Sequence, residues 1–101
     1  MNVSEFDEEV YDLVRCVPEG KVIRYGDIAE ALGKKCARAV GNSLRKSPYS
    51  SVPCHRVVNA EGRLAARFGP DGSEAQKRAL EREGVEVSGD RVDLNKYLFE
   101  L

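Results

Sequence analysis

The spacing of apolar residues divides the chain into short helices and strands. Near the N-terminus apolar residues recur every three or four positions, which predicts an amphipathic helix. Its apolar face comprises Val3, Phe6, Val10, Leu13, Val14 and Val17. Ser4 followed by Asp7 resembles a capping box at its start. Pro18 and Gly20 predict a turn at its end, and residues 21–25 are typical of a short strand.

Two more short helices are predicted in the next stretch. Residues 26–33 place Ile28 and Leu32 on one face and end at Gly33, and residues 34–46 form a second, basic helix. Two such helices joined by a tight turn are the pattern of a helix-turn-helix. Small residues on the second helix allow close approach either to DNA or to another helix: Ala37, Ala39, Gly41 and Ser43.

The second half of the chain predicts a loop, a strand, a helix and a hairpin. Residues 47–55 form a loop that delivers Cys54, and residues 56–64 form a strand entering a turn. A fourth helix starts at Ser73 as N-cap, with Gln76 three residues later, and ends at Gly84. Alternating residues 85–94 predict a small hairpin or wing. We therefore predict one domain over residues 1–101, mainly α with a small β component, of the winged helix-turn-helix class.

Composition narrows the class of protein. With 42% apolar and 33% charged residues, no stretch of the sequence approaches the roughly 18 apolar residues of a membrane span. The acidic, amphipathic N-terminus lacks the pattern of a signal peptide. We expect a soluble intracellular protein, cytoplasmic, or nuclear in a eukaryote. Cys16, Cys36 and Cys54 are odd in number, scattered and without a CxxC pair, which argues against a disulfide framework and a zinc site. We expect no metal and no cofactor.

The net charge of −1 hides a strong asymmetry along the chain. Residues 31–60 contain no acid and six cations, which leaves a net −7 for the rest. The six cations are Lys34, Lys35, Arg38, Arg45, Lys46 and Arg56. This block suggests one face for a polyanion, and the alternative is a solvated basic helix face.

The stretch VPCHRVV, residues 52–58, carries the candidate chemistry. It holds the only histidine, His55, directly after Cys54. A thiol becomes a strong nucleophile when deprotonated, and a nearby imidazole or positive charge favours deprotonation. Because adjacent residues seldom face each other, His55 would act through a bridging water or after a sharp turn. The alternative is a small buried thiol beside a surface histidine. A papain-like protease is disfavoured, since it needs an oxyanion hole, a cleft and a larger chain.

PCHRVV, preceded by ARAVGNSLRKSP and GKVIRYGDIAEALG, resembles the active-site domain of the O6-alkylguanine-DNA alkyltransferases, from about Phe6 to Gly84. The resemblance implies a winged helix-turn-helix that enters the minor groove of double-stranded DNA. It would flip an O6-alkylated guanine out of the stack and move the alkyl group irreversibly onto its own cysteine. Such a methyltransferase acts once per molecule.

The resemblance also implies residue roles. Cys54 is the alkyl acceptor, His55 the water-mediated base, and Glu83 the carboxylate that orients His55. Tyr25 crowds the phosphate of the flipped nucleotide and donates a proton to the departing guanine. Arg38 is the finger that fills the vacated space in the duplex. The plain alternatives are a core aromatic for Tyr25 and a solvated helix residue for Arg38.

Further residues are assigned to DNA contact and to the base pocket. Lys34 and Arg45 are predicted to contact phosphates. Val57, Arg67 and Phe68 are predicted to line the pocket for the flipped base.

The match departs from the family pattern at two places. Ser47 stands where the family often has asparagine, and ARFG, residues 66–69, replaces the family's glycine-tyrosine-serine-glycine loop. Alkyltransferase-like proteins, which have tryptophan or alanine instead of the cysteine, carry a pocket arginine that resembles Arg67. They pass the lesion to nucleotide excision repair. A stacked arginine could hold the flipped base by cation–π contact and accept bulkier alkyl groups.

The sequence is therefore compatible with three functions. The first is alkyl transfer to Cys54. The second is lesion binding without transfer, which flags O6-alkylguanine for nucleotide excision repair proteins. The third is a winged-helix transcription factor, which would dimerise and read bases in the major groove. We expect a monomer whose partner is double-stranded DNA containing O6-alkylguanine, with no membrane partner.

Overall fold

The computed structural model of the chain describes residues 3–34, 36–65 and 72–101. The α-helices within these ranges are α1 Glu5–Arg15, α2 Tyr25–Ala31, α3 Ala37–Arg45, α4 Glu74–Arg82 and α5 Leu94–Tyr97. The short strands are β1 Ile23–Arg24, β2 Val57–Val58, β3 Val87–Ser88 and β4 Arg91–Val92. No helix in the described ranges is both long and apolar enough to cross a membrane.

The start of α1 confirms the predicted capping box. The hydroxyl of Ser4 accepts from the backbone N–H of Asp7 at 3.1 Å, and the Asp7 carboxylate accepts from the Ser4 N–H at 2.9 Å. Both bonds satisfy backbone donors that the first turn of a helix leaves unpaired. Because the contact spans only three residues, sequence alone could predict it.

Helices α2 and α3 form the predicted helix-turn-helix. Gly33 follows α2 with φ +73°, and its N–H donates to Glu30 O at 3.0 Å. The next N–H, of Lys34, donates to Ala29 O at 2.8 Å. This Schellman arrangement favours glycine at the left-handed position, so Gly33 ends the helix as predicted. The helix itself begins at Tyr25, one residue earlier than predicted, so that the preceding strand is only Ile23–Arg24.

A parallel pairing of β1 with β2 divides the interior into two apolar clusters. Ile23 pairs with Val57, and Arg24 with Val58. Successive strand residues face opposite sides of a sheet. Accordingly Ile23 and Val57 join the cluster of α1, α2 and α3, whereas Val58 joins the cluster of α4, the hairpin and α5. The residues directly before β2 are therefore held at the seam between the two clusters.

The hairpin predicted in residues 85–94 is confirmed as β3 paired antiparallel with β4. It docks on the turn that follows β2, where the N–H of Val92 donates to Gly62 O at 2.8 Å. A Cβ at Gly62 would lie 2.3 Å from Val92 O, so only glycine fits this contact. Helix α5 was not predicted; its N-cap residue is Asp93, whose carboxylate accepts from the N–H of Asn95 at 2.9 Å.

Helix α4 begins and ends where predicted, but no side-chain hydrogen bond caps its start. Ser73 is the N-cap residue without a side-chain hydrogen bond, and Gln76 does not reach back to it. Gln76 is instead fully buried and bonds to the backbone around the site described below. At the other end Gly84 has φ +87° and completes a second Schellman arrangement, with Val85 N–H on Leu80 O at 3.0 Å. This ending fixes the place of Glu83.

Asp7 joins the start of α1 to the end of α3. Its carboxylate accepts from the Ser43 hydroxyl and lies 2.8 Å from the ammonium of Lys46. Burial raises the pKa of the Asp7 carboxyl, but hydrogen bonds from Lys46, Ser43 and Ser4 outweigh it and hold that pKa well below its usual range. The carboxylate therefore stays ionised although it is almost completely buried.

Replacing Asp7 with alanine is expected to lower the free energy of unfolding by about 2–4 kcal/mol at neutral pH, because it removes a buried charge and leaves its partners unpaired. The folded pKa is depressed, so this stability is present above the unfolded pKa of about 4 and is lost as pH falls. Urea unfolding at pH 7 and below pH 4 measures both effects. Asp12→Ala, at an exposed position of the same helix, is the control. Equal effects of the two variants would contradict the assignment.

Candidate active site

A tight turn around Pro53 presents Cys54. Pro53 has φ −79° and ψ 69°, and the Cys54 N–H donates to Val52 O at 2.8 Å, which is an inverse γ-turn. The proline ring fixes this φ, and because proline has no N–H, no backbone donor is left unpaired at this position. A 3₁₀ turn, Cys54–Arg56, follows at once and runs into β2. Two consecutive tight turns therefore carry Cys54 and His55.

The Cys54 thiol is half-buried against the helical cluster. Its Sγ lies 3.9 Å from Leu44 O at the end of α3. Burial raises the pKa of this thiol above its ordinary value. The group therefore rests as a protonated thiol, and a base must remove the proton when it reacts.

Alkylation of Cys54 by iodoacetamide in the free protein is therefore expected to be slow at pH 7 and to keep accelerating above pH 8.5, since only the thiolate reacts. Cys16 and Cys36 are exposed and serve as internal controls in the same digest. Peptide mass spectrometry over a pH series gives the three rates. A Cys54 rate that levels off below pH 8 would contradict the raised pKa.

His55 and Arg56, which follow Cys54 in the turn, form a hydrogen-bonded group with Glu83. His55 Nε2 lies 2.8 Å from Glu83 Oε2. Arg56 donates from Nε to Oε1 at 2.9 Å and from Nη2 to Oε2 at 2.6 Å. The pKa of Glu83 is lowered, chiefly by the hydrogen bonds from Arg56 and then by His55, against the opposing effect of burial. The structure thus brings together the predicted histidine and carboxylate, and adds an arginine that had been predicted to face a polyanion.

Gln76 is the residue that sequence reasoning missed at this site. Its amide nitrogen donates to His55 O at 3.1 Å and to Val57 O at 2.9 Å, while its oxygen accepts from Ala65 N–H at 2.8 Å. These bonds tie the turn that carries His55 to the backbone just before residue 66. The available signal was a polar residue on the inward face of an amphipathic helix.

Tyr25 lies close to Cys54 and Arg45. Burial raises the pKa of its phenol, the charge of Cys54 adds to this, and Arg45 opposes it. The hydroxyl therefore stays protonated at neutral pH and can donate. A Cβ on Gly41 of α3 would lie 3.8 Å from the Tyr25 ring, so the ring packs against that helix.

The six cations of residues 31–60 do not share one face. Arg56 is turned inward to Glu83, and Lys46 is paired with Asp7. Lys34, Arg38 and Arg45 are exposed, and no carboxylate in the described part of the chain pairs with Arg38. Lys35 lies outside the described residues. Of these six cations, the exposed ones without a carboxylate partner among the described residues therefore lie on α3 and the turn before it.

The predicted base pocket is only partly visible. Arg67 and Phe68 lie outside the described residues, so their roles stay predictions. Val57 is fully buried in the helical cluster, with its backbone in β2 directly after the Cys54–Arg56 turn. Its place in a base pocket also stays a prediction.

Comparison with known proteins gives a consistent pattern. A family model described as "6-O-methylguanine DNA methyltransferase, DNA binding domain" matches residues 5–85. A "DNA base-flipping protein" of Escherichia coli is 43% identical over 97 residues, 93% of this chain and 74% of its own length. "Alkyltransferase-like protein 1" of Schizosaccharomyces pombe is 43% identical over 86% of this chain and 82% of its own.

A transferase is among the relatives as well. A "Methylated-DNA--protein-cysteine methyltransferase" of Thermococcus kodakarensis is 44% identical over 82% of this chain, which covers 47% of that protein. The crystal structure of S. pombe Atl1 in complex with damaged DNA containing O6-carboxymethylguanine superposes with a TM-score of 0.88 at 37% identity, over 100% of both chains. Relatives thus include both proteins named as transferases and proteins named for base flipping.

Proposed function

Because this chain belongs to the family of the 6-O-methylguanine DNA methyltransferase DNA-binding domain, we propose that it binds DNA, flips out an O6-alkylated guanine and transfers the alkyl group to Cys54. The observation that carries the proposal is the half-buried Cys54 thiol in the turn that also holds His55 against Glu83 at 2.8 Å. A nucleophile, a base and the group that orients the base are the parts that a thiol transfer needs.

DNA binding is assigned to α3 and the turn before it. Lys34, Arg38 and Arg45 contact phosphates, which positions the protein without reading sequence. Unstacking a base costs a few kcal/mol, and least for a base whose pairing is already damaged. The exposed side chain of Arg38 fills the vacated space and offsets part of that cost.

The residues of the site account for each proton that moves and each bond that forms or breaks in the transfer step. His55 takes the thiol proton of Cys54 through a bridging water, and the sulfur attacks the alkyl carbon as the bond from that carbon to O6 breaks. The electron pair of that bond leaves with guanine, which takes a proton from the Tyr25 hydroxyl. The proton held by His55 returns to Tyr25 through solvent. The thioether on Cys54 is stable, so each molecule reacts once.

The direct test is mass spectrometry of the protein after mixing with a duplex that contains one O6-methylguanine. We expect a gain of one methyl group, located on the peptide that contains Cys54, and guanine in the recovered DNA. An unchanged protein mass after prolonged incubation, with the lesion intact, would refute transfer.

The second candidate is lesion binding without transfer. It is favoured by the E. coli and S. pombe relatives, which match most of this chain and are named for base flipping and as alkyltransferase-like. In that case the protein holds O6-alkylguanine for nucleotide excision repair proteins. Tight binding of the lesion with no methyl gain in the experiment above supports this candidate.

Two α3 variants are expected to weaken DNA binding in different ways. Arg45→Ala removes one phosphate contact, so it lowers affinity for damaged and undamaged duplexes alike and reduces the slope of log affinity against log salt by about one. Arg38→Ala also removes the wedge, so it costs about tenfold more for the damaged duplex than for the undamaged one. Fluorescence anisotropy over a salt series measures both.

Lys96→Ala is the matched control, because Lys96 is exposed but paired with Glu86 at 2.8 Å in the acidic remainder of the chain. Its slope is expected to equal that of the unmodified protein. A Lys96 variant that behaves like Arg45→Ala would place the DNA on another face.

A further inference from the structure

Two side chains bind the carboxylate of Glu83, and Arg56 makes more of the hydrogen bonds to it than His55 does. Arg56 binds both oxygens in a bidentate fork, while His55 Nε2 reaches only Oε2. The third guanidinium nitrogen, Nη1, donates to Val17 O at 2.8 Å, just beyond α1. Arg56 and Glu83 are each 13% exposed in their side chains, so solvent screens the group weakly.

The charge of the group depends on His55. With neutral His55, the guanidinium and the carboxylate cancel. Protonated His55 leaves the group with a net positive charge in a weakly solvated place, whereas a histidine and glutamate without the arginine would form a neutral ion pair. The bidentate arginine therefore already neutralises the carboxylate charge that an imidazolium would otherwise pair with.

The hydrogen bond to Glu83 also selects the tautomer. The low pKa of Glu83 keeps its carboxylate ionised, so Oε2 accepts and Nε2 carries the proton. In a neutral ring Nδ1 then holds a lone pair and can accept a proton. A protonated ring has no lone pair on either nitrogen and cannot act as a base.

We propose that Arg56 is a positioning residue that keeps His55 neutral through its grip on Glu83, so that Nδ1 can take the thiol proton of Cys54 at neutral pH. This inference rests on the proposed function. In the described part of the chain, the charged group that contacts His55 is Glu83 at the end of α4; Arg56 binds the same carboxylate, and Cys54 precedes His55 in the turn. Glu19, in the loop after α1, adds a further negative charge near Arg56.

The first test does not require transfer. His55 is the only histidine in the sequence, so its ring resonances in a tag-free protein identify themselves in a ¹H–¹³C NMR titration. Arg56→Gln is expected to raise the His55 titration midpoint by about one pH unit. Arg63→Gln removes an exposed arginine whose nearest carboxylate oxygens lie 3.8 and 4.0 Å away, and should leave the midpoint unchanged. An unchanged or lowered midpoint in Arg56→Gln overturns the proposal.

The second test is the pH profile of methyl transfer. Arg56→Gln is expected to slow transfer several-fold more at pH 6.5 than at pH 9, because raising the pH restores neutral His55. Slowing by the same factor at both pH values would indicate a merely structural role and overturn the proposal. If the unmodified protein transfers no methyl group, the proposed function fails, and the NMR titration alone decides the role of Arg56.

A variant that keeps the shape of the side chain separates loss of charge from loss of structure. Citrulline at position 56, introduced by chemical ligation at Cys36, keeps the shape and the Nε and one Nη donor but removes the charge. It is expected to raise the His55 midpoint as Arg56→Gln does, while Arg56→Lys keeps the charge and stays near the midpoint of the unmodified protein. A citrulline protein with an unchanged midpoint would refute the charge argument.

Discussion

Replacing Cys54 with alanine is expected to abolish methyl transfer while leaving binding to a duplex with O6-methylguanine intact. The thiol is half-buried, and its closest polar contact is a weak one to Leu44 O at 3.9 Å. Loss of one sulfur atom therefore removes the nucleophile with little effect on the fold. Radiolabelled methyl transfer and anisotropy with damaged and undamaged duplexes measure the two properties separately.

Cys16→Ala is the control for this experiment, because Cys16 is an exposed thiol at the end of α1. It is expected to transfer as the unmodified protein does. Methyl uptake by Cys54→Ala would move the acceptor elsewhere. Tight lesion binding by both Cys54→Ala and the unmodified protein, without transfer by either, would leave the lesion-binding candidate. Equal affinity for damaged and undamaged DNA would favour a regulator instead.

Replacing Glu83 with alanine is expected to impair stability and transfer together. It leaves the Arg56 guanidinium, only 13% exposed, without its counter-charge, which costs about 2–4 kcal/mol of unfolding free energy. It also releases His55, so transfer falls by about a hundredfold or more. Urea unfolding and single-turnover transfer kinetics measure these losses.

The pH dependence of that stability follows from the Glu83 pKa. Because Arg56 lowers the folded pKa, the contribution of Glu83 is present above its unfolded pKa of about 4.3 and is lost as pH falls below it. Glu81→Ala, on the exposed side of α4, is the control and is expected to be nearly neutral. If Glu83→Ala were no less stable than Glu81→Ala, the Arg56–Glu83 pair would not form in solution.

Local features of this fold were predictable from sequence because their partners are near in the chain. The Ser4–Asp7 capping box spans three residues, and Gly33 and Gly84 end their helices through backbone bonds to the preceding turn. The hairpin of β3 and β4 is equally local. The helix end at Gly84 is enough to place Glu83 at the end of α4 from the sequence alone.

Side chains with two plausible partners were not predictable in this way. Arg56 and Lys46 were counted with the basic block, yet one binds Glu83, 27 residues away, and the other binds Asp7 in the first turn of α1. Gln76 fitted a local cap but bonds to three backbone groups across the seam between the clusters. A count of charges along the sequence does not show which of them form ion pairs within the folded protein.

The sequence by itself determined the four longer helices, the ends of α2 and α4 at Gly33 and Gly84, the helix-turn-helix, and the resemblance carried by PCHRVV, because short-range hydrogen bonds and apolar periodicity depend only on neighbouring residues. Only the tertiary structure decided that the β1–β2 pairing sets the Cys54–Arg56 turn at the seam, and that Arg56 joins His55 on Glu83. Both features depend on contacts between residues far apart in the chain. The sequence allows many such contacts, and the packing of the two apolar clusters selects among them.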